Sequence, residues 1–390
     1  MKGASSSLCL FRTFNIKLFS PFDIKELKKF MKNNTIDNNT IILTEKQEEK
    51  VNKCEIINKF KEKKVKNPKF KDYIEPFVSS KMYERIHDCG GFLMFLADLE
   101  LEHKKLHKGN FCKNRFCPMC SWRMALKDCL EISILMEHLR LEEGKEFIFL
   151  TLTTPNVTGE ELDQAIKEYN LAFKRLLKLK EVAPIVKGYI RKLEVTYQGE
   201  KYITKKLWRK KKEYYMRLGL KIGDLEPNYN TYNPHFHTVI AVNKSYFGNR
   251  TYISRERWLE LWKKSMRDER ITQVDVRKAK MSNYKEVYEL SKYSAKDSDY
   301  LINRKVFSEF YKSLKGKQVL VFGGLFKEAH KMYLNKELEV YKEKDEIKYV
   351  YMLYYNWAKK EYENTKLREL TEEELESLNH KLINEIEDDF

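Results

Sequence analysis

The sequence predicts an α+β fold in which helices cover one face of an antiparallel, ferredoxin-like sheet. β-rich runs and amphipathic helical runs alternate between residues 146 and 296 in the order β-α-β-β-α-β-α. That order is a split βαβ unit with one trailing helix, and its second and third strands form an antiparallel hairpin.

The first strand is expected over 146–153 (EFIFLTLT), which runs into the turn residues Thr154, Pro155 and Asn156. A helix is expected over 159–180, where acidic residues come early and lysines late, as the helix dipole favours. The hairpin strands are 188–197 (GYIRKLEVTY) and 234–242 (PHFHTVIAV). The long basic segment between them predicts an insertion at the hairpin tip.

The remaining elements of this unit are shorter. A helix is expected over 255–268, where Trp258 and Trp262 lie one turn apart. A short strand is expected over 272–279, and a further helix over 283–296. Together these elements form a predicted domain that spans residues 146–330.

Three segments flank this domain. Residues 1–80 are polar and lysine-rich with little periodicity, and we expect a flexible basic leader. Residues 81–130 are expected to be a cysteine-rich, zinc-binding segment, and residues 331–390 an acidic helical tail.

The net charge of the chain indicates which classes of molecule it can bind. The chain has a net charge of +17; residues 331–390 contain ten Lys/Arg and sixteen Asp/Glu, a net −6, so residues 1–330 carry +23. Such a surface attracts phosphate backbones, although charge alone also fits a membrane-surface protein. No apolar run approaches the 18 or so residues of a membrane span. Seven cysteines, an odd number in a lysine-rich chain, favour a reducing, cytoplasmic compartment over a disulfide framework.

His235 and His237 predict half of a divalent-metal site. Side chains alternate along a strand, so both imidazoles project from one face while Phe236 points to the other. Glu194, on the neighbouring hairpin strand, is the candidate third ligand. A set of imidazoles and a carboxylate suits Mn²⁺ or Mg²⁺ with open positions for phosphate oxygens. For the His-x-His pair taken by itself, the alternative is the polar face of an amphipathic strand.

A tyrosine nucleophile is predicted on the helix over 283–296. Glu289 lies four residues before Tyr293 and Lys296 three after it, so all three would share one helical face. A tyrosine that attacks a phosphodiester needs a nearby cation, here Lys296, and Glu289 could serve as a general base. The same spacing is common on helix surfaces without function, and Tyr284, Tyr288 and Tyr300 are nearby alternatives.

The cysteine segment predicts a structural zinc site. Cys117 and Cys120 form a C-x-x-C pair, with Cys112 five residues earlier and Cys89 further upstream. Four thiolates could close a tetrahedral Zn²⁺ site. His103 and His107 are alternatives to Cys89, and a set of buried free thiols is the alternative to a metal site.

Five segments carry a family resemblance in a fixed order. They are FCKNRFCPMC (111–120), FLTLTTPNV (149–157), KGYIRKLEVTY (187–197), NPHFHTVIAV (233–242) and ELSKYSAKDSD (289–299). Together they resemble the plasmid rolling-circle replication initiator (Rep) proteins of the HUH endonuclease superfamily, over residues 85 to 330.

The resemblance implies both an activity and residue roles. Tyr293 would cut the origin strand, leaving a 5′-phosphotyrosine and a free 3′-OH primer, and Glu289 would direct water at termination. His235, His237 and Glu194 would hold the metal. Residues of the first strand motif, Thr151, Thr153 and Asn156, would help to position DNA. The implied partners are single-stranded origin DNA, a host helicase and a single-strand-binding protein, with monomer or homodimer left open.

Two other classes of function compete. A single-strand transposase of the HUH type would share the chemistry but act on transposon ends, and a mobilisation relaxase fits less well because its tyrosine usually precedes the His pair. The second class is a non-catalytic, zinc-containing DNA-binding protein, in which charge and thiolates account for every feature.

Overall fold

The computed structural model describes residues 45–52, 55–248, 250–279, 287, 290–291 and 295–379. Nine β-strands form two antiparallel sheets in this part of the chain. The strands are β1 (Phe92–Asp98), β2 (Lys104–Gly109), β3 (Lys145–Thr153), β4 (Gly188–Gln198), β5 (Thr231–Asn243), β6 (Val274–Lys278), β7 (Leu320–Gly324), β8 (Tyr349–Ala358) and β9 (Glu361–Glu369).

Thirteen α-helices with defined bounds accompany the sheets in the described ranges. They are α1 (Glu45–Asn52), α2 (Glu55–Lys64), α3 (Asn67–Ile74), α4 (Ser80–Asp88), α5 (Pro118–Leu141), α6 (Leu162–Leu177), α7 (Lys205–Lys210), α8 (Lys212–Arg217), α9 (Arg255–Met266), α10 (Asp297–Tyr300), α11 (Arg304–Leu314), α12 (Leu325–Leu334) and α13 (Glu372–Leu378). Among the described helices, none is both long enough and apolar enough to cross a membrane.

The larger sheet has the strand order β6-β3-β5-β4-β7, and every neighbouring pair is antiparallel. β4 and β5 form the predicted hairpin, in continuous register from Gly188 opposite Ala241 to Gln198 opposite Thr231. The insertion, residues 199–230, therefore leaves the strand pairing undisturbed and lies beyond the end of the hairpin.

Helices pack on both faces of this sheet, whereas the sequence predicted them on one. α6 and α9 cover the face that carries Phe236 and Leu193, and α5 and α12 cover the face that carries Phe149 and Val239. Consecutive residues of β3 are buried from Phe147 to Leu150, so this central strand needs apolar cover on both sides.

The smaller sheet, ordered β2-β1-β8-β9, corrects the prediction of a helical tail over 331–390. The run 349–358 (YVYMLYYNWA) is rich in aromatic and β-branched residues that favour strands, and Leu353 is fully buried. Lys359 and Lys360 both have positive φ, 49° and 66°, which is the backbone of a tight two-residue hairpin turn. The overall acidity of the segment concealed this hairpin.

Part of the predicted flexible leader is also ordered. Residues 45–80 contain α1, α2 and α3, and Phe60, Phe70 and Ile74 are buried. The Phe60 ring meets those of Phe95 and Trp122 edge-on, at centroid distances of 5.7 and 5.0 Å. The lysine-rich composition concealed an apolar face that packs against the smaller sheet. Residues 1–44 lie outside the described residues.

Candidate active site

Glu194, His235 and His237 converge on the face of the larger sheet covered by α5 and α12. Glu194 is the register partner of His235 in the β4–β5 ladder. The Glu194 Oε2 atom lies 3.0 Å from His237 Nε2 and 3.5 Å from His235 Nε2. The three side chains can offer ligand atoms that all lie within 4.8 Å of one another.

Contacts behind each imidazole fix its orientation. His237 Nδ1 lies 3.2 Å from Thr151 Oγ1, and His235 Nδ1 lies 3.1 Å from the Asn233 carbonyl oxygen. The Phe149 ring stacks on His237 with the centroids 5.8 Å apart. Such contacts hold metal-ligating histidines in place, and here they turn both Nε2 atoms towards Glu194.

The site is shielded and carries an ionised carboxylate. The exposed fractions of the Glu194, His235 and His237 side chains are 5%, 12% and 10%. Burial by itself raises the pKa of Glu194, but the hydrogen bonds and charges of His235 and His237 outweigh burial and hold that pKa well below its usual value. A carboxylate and two imidazoles with their donor atoms together fit a divalent cation.

The strand motif predicted to position DNA forms one wall of the site. Thr151 orients His237, as described above. Asn233 Nδ2 donates to Asn156 Oδ1 at 3.1 Å and to the Thr154 carbonyl at 2.9 Å, and Thr153 Oγ1 donates to Asn233 Oδ1 at 3.3 Å. This network ties the end of β3 to the start of β5, next to His235.

Tyr293 and Glu289 lie outside the described residues. Their described neighbours Val287 and Leu290 are buried in the same apolar cluster as Phe149. Lys296 differs from its prediction, because it is exposed and its backbone is extended (φ −75°, ψ 140°) at the N-cap of α10. The helical face expected to join Glu289, Tyr293 and Lys296 therefore does not continue as far as residue 296.

Charged residues that the sequence did not single out lie close to the triad. Lys192, two residues before Glu194 on the same face of β4, is buried and donates to Asp128 Oδ2 of α5 at 3.0 Å. Asp299 accepts a hydrogen bond from the Tyr197 amide at 3.3 Å; burial raises its pKa, and the charge of Glu194 adds to the rise. The strand period could have placed Lys192 beside Glu194, but only the fold brings Asp128 and Asp299 there.

The four predicted cysteines meet in a second, buried cluster. The Sγ atom of Cys120 lies 3.6 Å from those of Cys89 and Cys112, and Cys89 Sγ lies 3.6 Å from Cys117 Sγ. A tetrahedral zinc with Zn–S bonds of about 2.3 Å spaces its sulfurs by about 3.8 Å, so the cluster has the right size.

The surroundings of the cluster decide between Cys89 and the alternative ligand His103. The His103 imidazole pairs with Asp98, Nδ1 to Oδ2 at 2.7 Å, and it is Cys89 whose thiol groups with those of Cys112, Cys117 and Cys120. Hydrogen bonds from the neighbouring thiols, Cys112 first, lower the pKa of Cys120, whereas burial raises the pKa of Cys117, so without a metal the thiols do not all favour the thiolate form. Cys117 caps α5, and Cys120 lies in its first turn, so the cluster anchors the helix that supplies Asp128.

The insertion at the tip of the β4–β5 hairpin carries a group of cations. Residues 199–230 contain α7 and α8, and Tyr215 is buried, donating a hydrogen bond to the Glu226 carboxylate. The Trp208 and Tyr215 rings stack with centroids 5.9 Å apart. This small core presents an outer set of exposed or half-exposed cations, which we call the basic arm: Lys205, Lys206, Arg209, Lys210, Lys211 and Lys212.

The family model and the similar sequences lead to one class of protein. A family model described as a replication protein matches residues 103–363. A Staphylococcus aureus protein named Protein rep is 46% identical over 252 residues, which cover 64% of this chain and 98% of that relative. A Bacillus amyloliquefaciens protein of the same name is 32% identical over 280 residues, covering 66% of this chain and 74% of the relative. No solved structure matches the chain significantly.

Proposed function

The chain belongs to the Rep_1 family of replication proteins, and from that premise we propose that it initiates rolling-circle replication of plasmid DNA by nicking one origin strand. The observation that carries this proposal is the convergence of Glu194, His235 and His237 on one shielded spot. A buried carboxylate between two oriented imidazoles suits a metal-dependent phosphodiester reaction better than a role in packing alone.

The strand order supports this assignment. β6-β3-β5-β4 is the order of a ferredoxin-like, split βαβ sheet, with β7 added beside β4. In that order the strand bearing the His pair is central, and the strand bearing Glu194 is its neighbour. We propose that residues 146–330 form an HUH endonuclease domain, and that residues 81–130 supply a zinc-stabilised support for α5.

The proposed reaction is a transesterification. The Tyr293 hydroxyl loses its proton to a base, and its oxygen attacks the scissile phosphorus. The bond from phosphorus to the 3′ oxygen breaks, and that oxygen takes up a proton to become the 3′-OH primer. The fragment downstream of the nick remains joined to Tyr293 through its 5′ phosphate, so the energy of the broken ester is kept for rejoining.

Other residues of the chain hold and orient the reactants. Glu194, His235 and His237 would hold Mg²⁺ or Mn²⁺, which when bound polarises the scissile phosphate. Thr151 keeps the His237 imidazole turned towards Glu194. We assign Glu289 to water activation at termination and Lys296 to stabilisation of the phenolate or phosphate.

The proposed partners follow from this activity. Single-stranded origin DNA would approach along the basic arm and the β3 wall formed by Thr153 and Asn156. A host helicase and a single-strand-binding protein would act on the displaced strand.

A covalent-adduct assay tests the proposal. The full chain is incubated with Mn²⁺ and single-stranded oligonucleotides labelled at the 3′ end and drawn from the plasmid origin. We expect an adduct that survives SDS, that is lost in Tyr293→Phe and that remains in the matched controls Tyr284→Phe and Tyr288→Phe. If no origin oligonucleotide yields an adduct while DNA still binds, the non-catalytic DNA-binding protein becomes the better description.

A further inference from the structure

A cavity of about 220 Å³ lies beside the triad, between α5, β4 and the start of β7. Lys192 forms part of its wall and is the register partner of His237. Ser291 and Ala295, on either side of Tyr293 in the sequence, form another part. An occupant of this cavity would therefore lie next to the phosphate on which the triad acts.

The size and lining of the cavity suit one flat ring system. Pockets for drug-sized ligands measure about 300–1,000 Å³, so this cavity is too small for such a ligand. Phe116 and Tyr300 line it, their rings meeting edge-on with centroids 5.9 Å apart, and Met124 and Leu314 add apolar surface. Aromatic and apolar walls of this kind bind unstacked nucleobases.

Polar groups also line the cavity. Lys192 Nζ lies 3.0 Å from Asp128 Oδ2, with the side chains 6% and 25% exposed. Arg115 also lines the cavity and donates to the Lys317 carbonyl at 2.7 Å. A buried ion pair contributes little net stability, because desolvation offsets the attraction between its charges. A carboxylate beside an ammonium does, however, offer an acceptor and a donor to the edge of a base.

We propose that this cavity holds one unstacked nucleobase of the strand being cut, with Asp128 and Lys192 at its hydrogen-bonding edge. The inference rests on the proposed function, since the occupant is identified from its nearness to the cleavage site. It adds a base-reading subsite to a centre otherwise built to handle phosphate.

Abasic substitution tests the subsite because it removes one base and keeps the phosphate backbone. The equilibrium dissociation constant is measured for the full chain with origin oligonucleotides that carry a single abasic site at each position around the nick. For the wild-type chain we expect one position at which base loss weakens binding by about tenfold or more.

Two variants link that position to the cavity. Ala125→Phe fills the cavity, and Asp128→Asn keeps its shape while changing the hydrogen-bond edge. In each variant, loss of the same base should change binding by less than about twofold. Ala165→Phe, a half-exposed alanine on α6 across the sheet, is the matched control and should keep the full wild-type penalty. Melting curves identify any variant that has unfolded, and the variant that remains folded then tests whether the cavity holds the base.

The outcomes separate this inference from the proposed function. If adducts form but the variants keep the full wild-type penalty for base loss, the base subsite is wrong and nicking stands. A second set of oligonucleotides carries neutral methylphosphonate linkages in place of phosphates. If this change weakens binding to the wild-type chain but not to the variants, and base loss has no such effect, the cavity binds a phosphate and the inference is overturned. If the base penalty is lost in both variants while no adduct forms, the subsite stands and the proposed chemistry fails.

Discussion

Glu194 and His235 face each other across the β4–β5 ladder, with Glu194 Oε2 3.5 Å from His235 Nε2. The 199–230 insertion separates them in sequence, yet the register of the hairpin places carboxylate and imidazole side by side. Since His237 lies two residues further along the same strand face, one strand pairing assembles all three proposed ligands.

Replacing Glu194 with Gln should weaken Mn²⁺ binding. The amide keeps the size of the side chain but removes its charge, and we expect a loss of more than about tenfold, because changes even to groups behind metal ligands commonly cost 10–100-fold. Isothermal titration with Mn²⁺ measures the affinity, and the adduct assay measures activity. Thr151→Val, which removes only the hydroxyl behind His237, should lose less. Equal Mn²⁺ affinity for Glu194→Gln and wild type would show that Glu194 is not a ligand.

The pH dependence of metal binding should come from the histidines. The pKa of Glu194 is held low, so its carboxylate stays ionised as the pH falls, while protons compete with the metal for the imidazole nitrogens. Mn²⁺ affinity should therefore fall as the pH is lowered from about 8 to about 5, because an imidazole must be neutral to bind a metal. The Glu194→Gln variant should lose affinity over the same interval. A pH dependence confined to the wild-type chain would assign the titrating group to Glu194 instead.

His235→Ala should abolish adduct formation and leave DNA binding largely intact. Phosphate contacts set most of the affinity for DNA, and the exposed cations that make them lie outside the triad. Adduct yield and the dissociation constant for an origin oligonucleotide, measured without metal, separate the two effects. A parallel loss of binding would assign His235 to DNA contact rather than to chemistry.

The sequence correctly predicted those features of the site that depend on short-range periodicity. Alternation along a strand placed His235 and His237 on one face, and the paired apolar runs placed Glu194 on the neighbouring strand. Long-range pairing was less accessible: β8 joins β1 across most of the chain, and the turn at Lys359 and Lys360 lacks the Asn-Gly or Asp-Gly pair that marks such hairpins.

Charged residues account for the remaining differences between the predicted and the observed structure. Lys192 lies in a strand that was predicted mainly from its apolar residues, so the sequence did not indicate it as a site residue. Its partner Asp128 lies on a helix distant in sequence. The helix predicted over 283–296 included Lys296, because spacing alone cannot show where helical backbone ends. In the leader, frequent lysines hid the apolar face that buries Phe60 and Phe70.

Cys120→Ser should destabilise the fold through loss of zinc. Structural zinc contributes folding energy directly, so we expect the melting temperature to fall by more than about 4 °C, corresponding to more than about 2 kcal/mol. A strong chelator should lower the wild-type melting temperature to a similar value and leave that of Cys120→Ser unchanged. Cys129→Ser, a half-buried thiol on the same helix but outside the cluster, is the control. If chelation has no effect on the wild type, the cluster consists of free thiols.

The basic arm should supply phosphate contacts to DNA. Lys206, Arg209 and Lys210 are exposed, make no ion pair with any part of the chain that the structure describes, and lie beyond the strand ends that carry Glu194 and His235. Each phosphate contact on a duplex contributes about 0.9 to the slope of log K against log salt concentration. Changing all three residues to Ala should therefore reduce that slope by about two to three for an origin duplex. Adduct formation on a short oligonucleotide supplied at saturating concentration should persist, because the triad is untouched.

A matched charge change identifies the arm as the cause of any loss. Lys174, Lys178 and Lys180 lie at the C-terminal end of α6, on the sheet face opposite the triad, and replacing all three with Ala removes the same charge. If the DNA contacts are local, this control keeps nearly the wild-type slope. If both triple variants lose slope equally, the attraction is a property of the net charge of +17, and the arm has no special part in binding DNA.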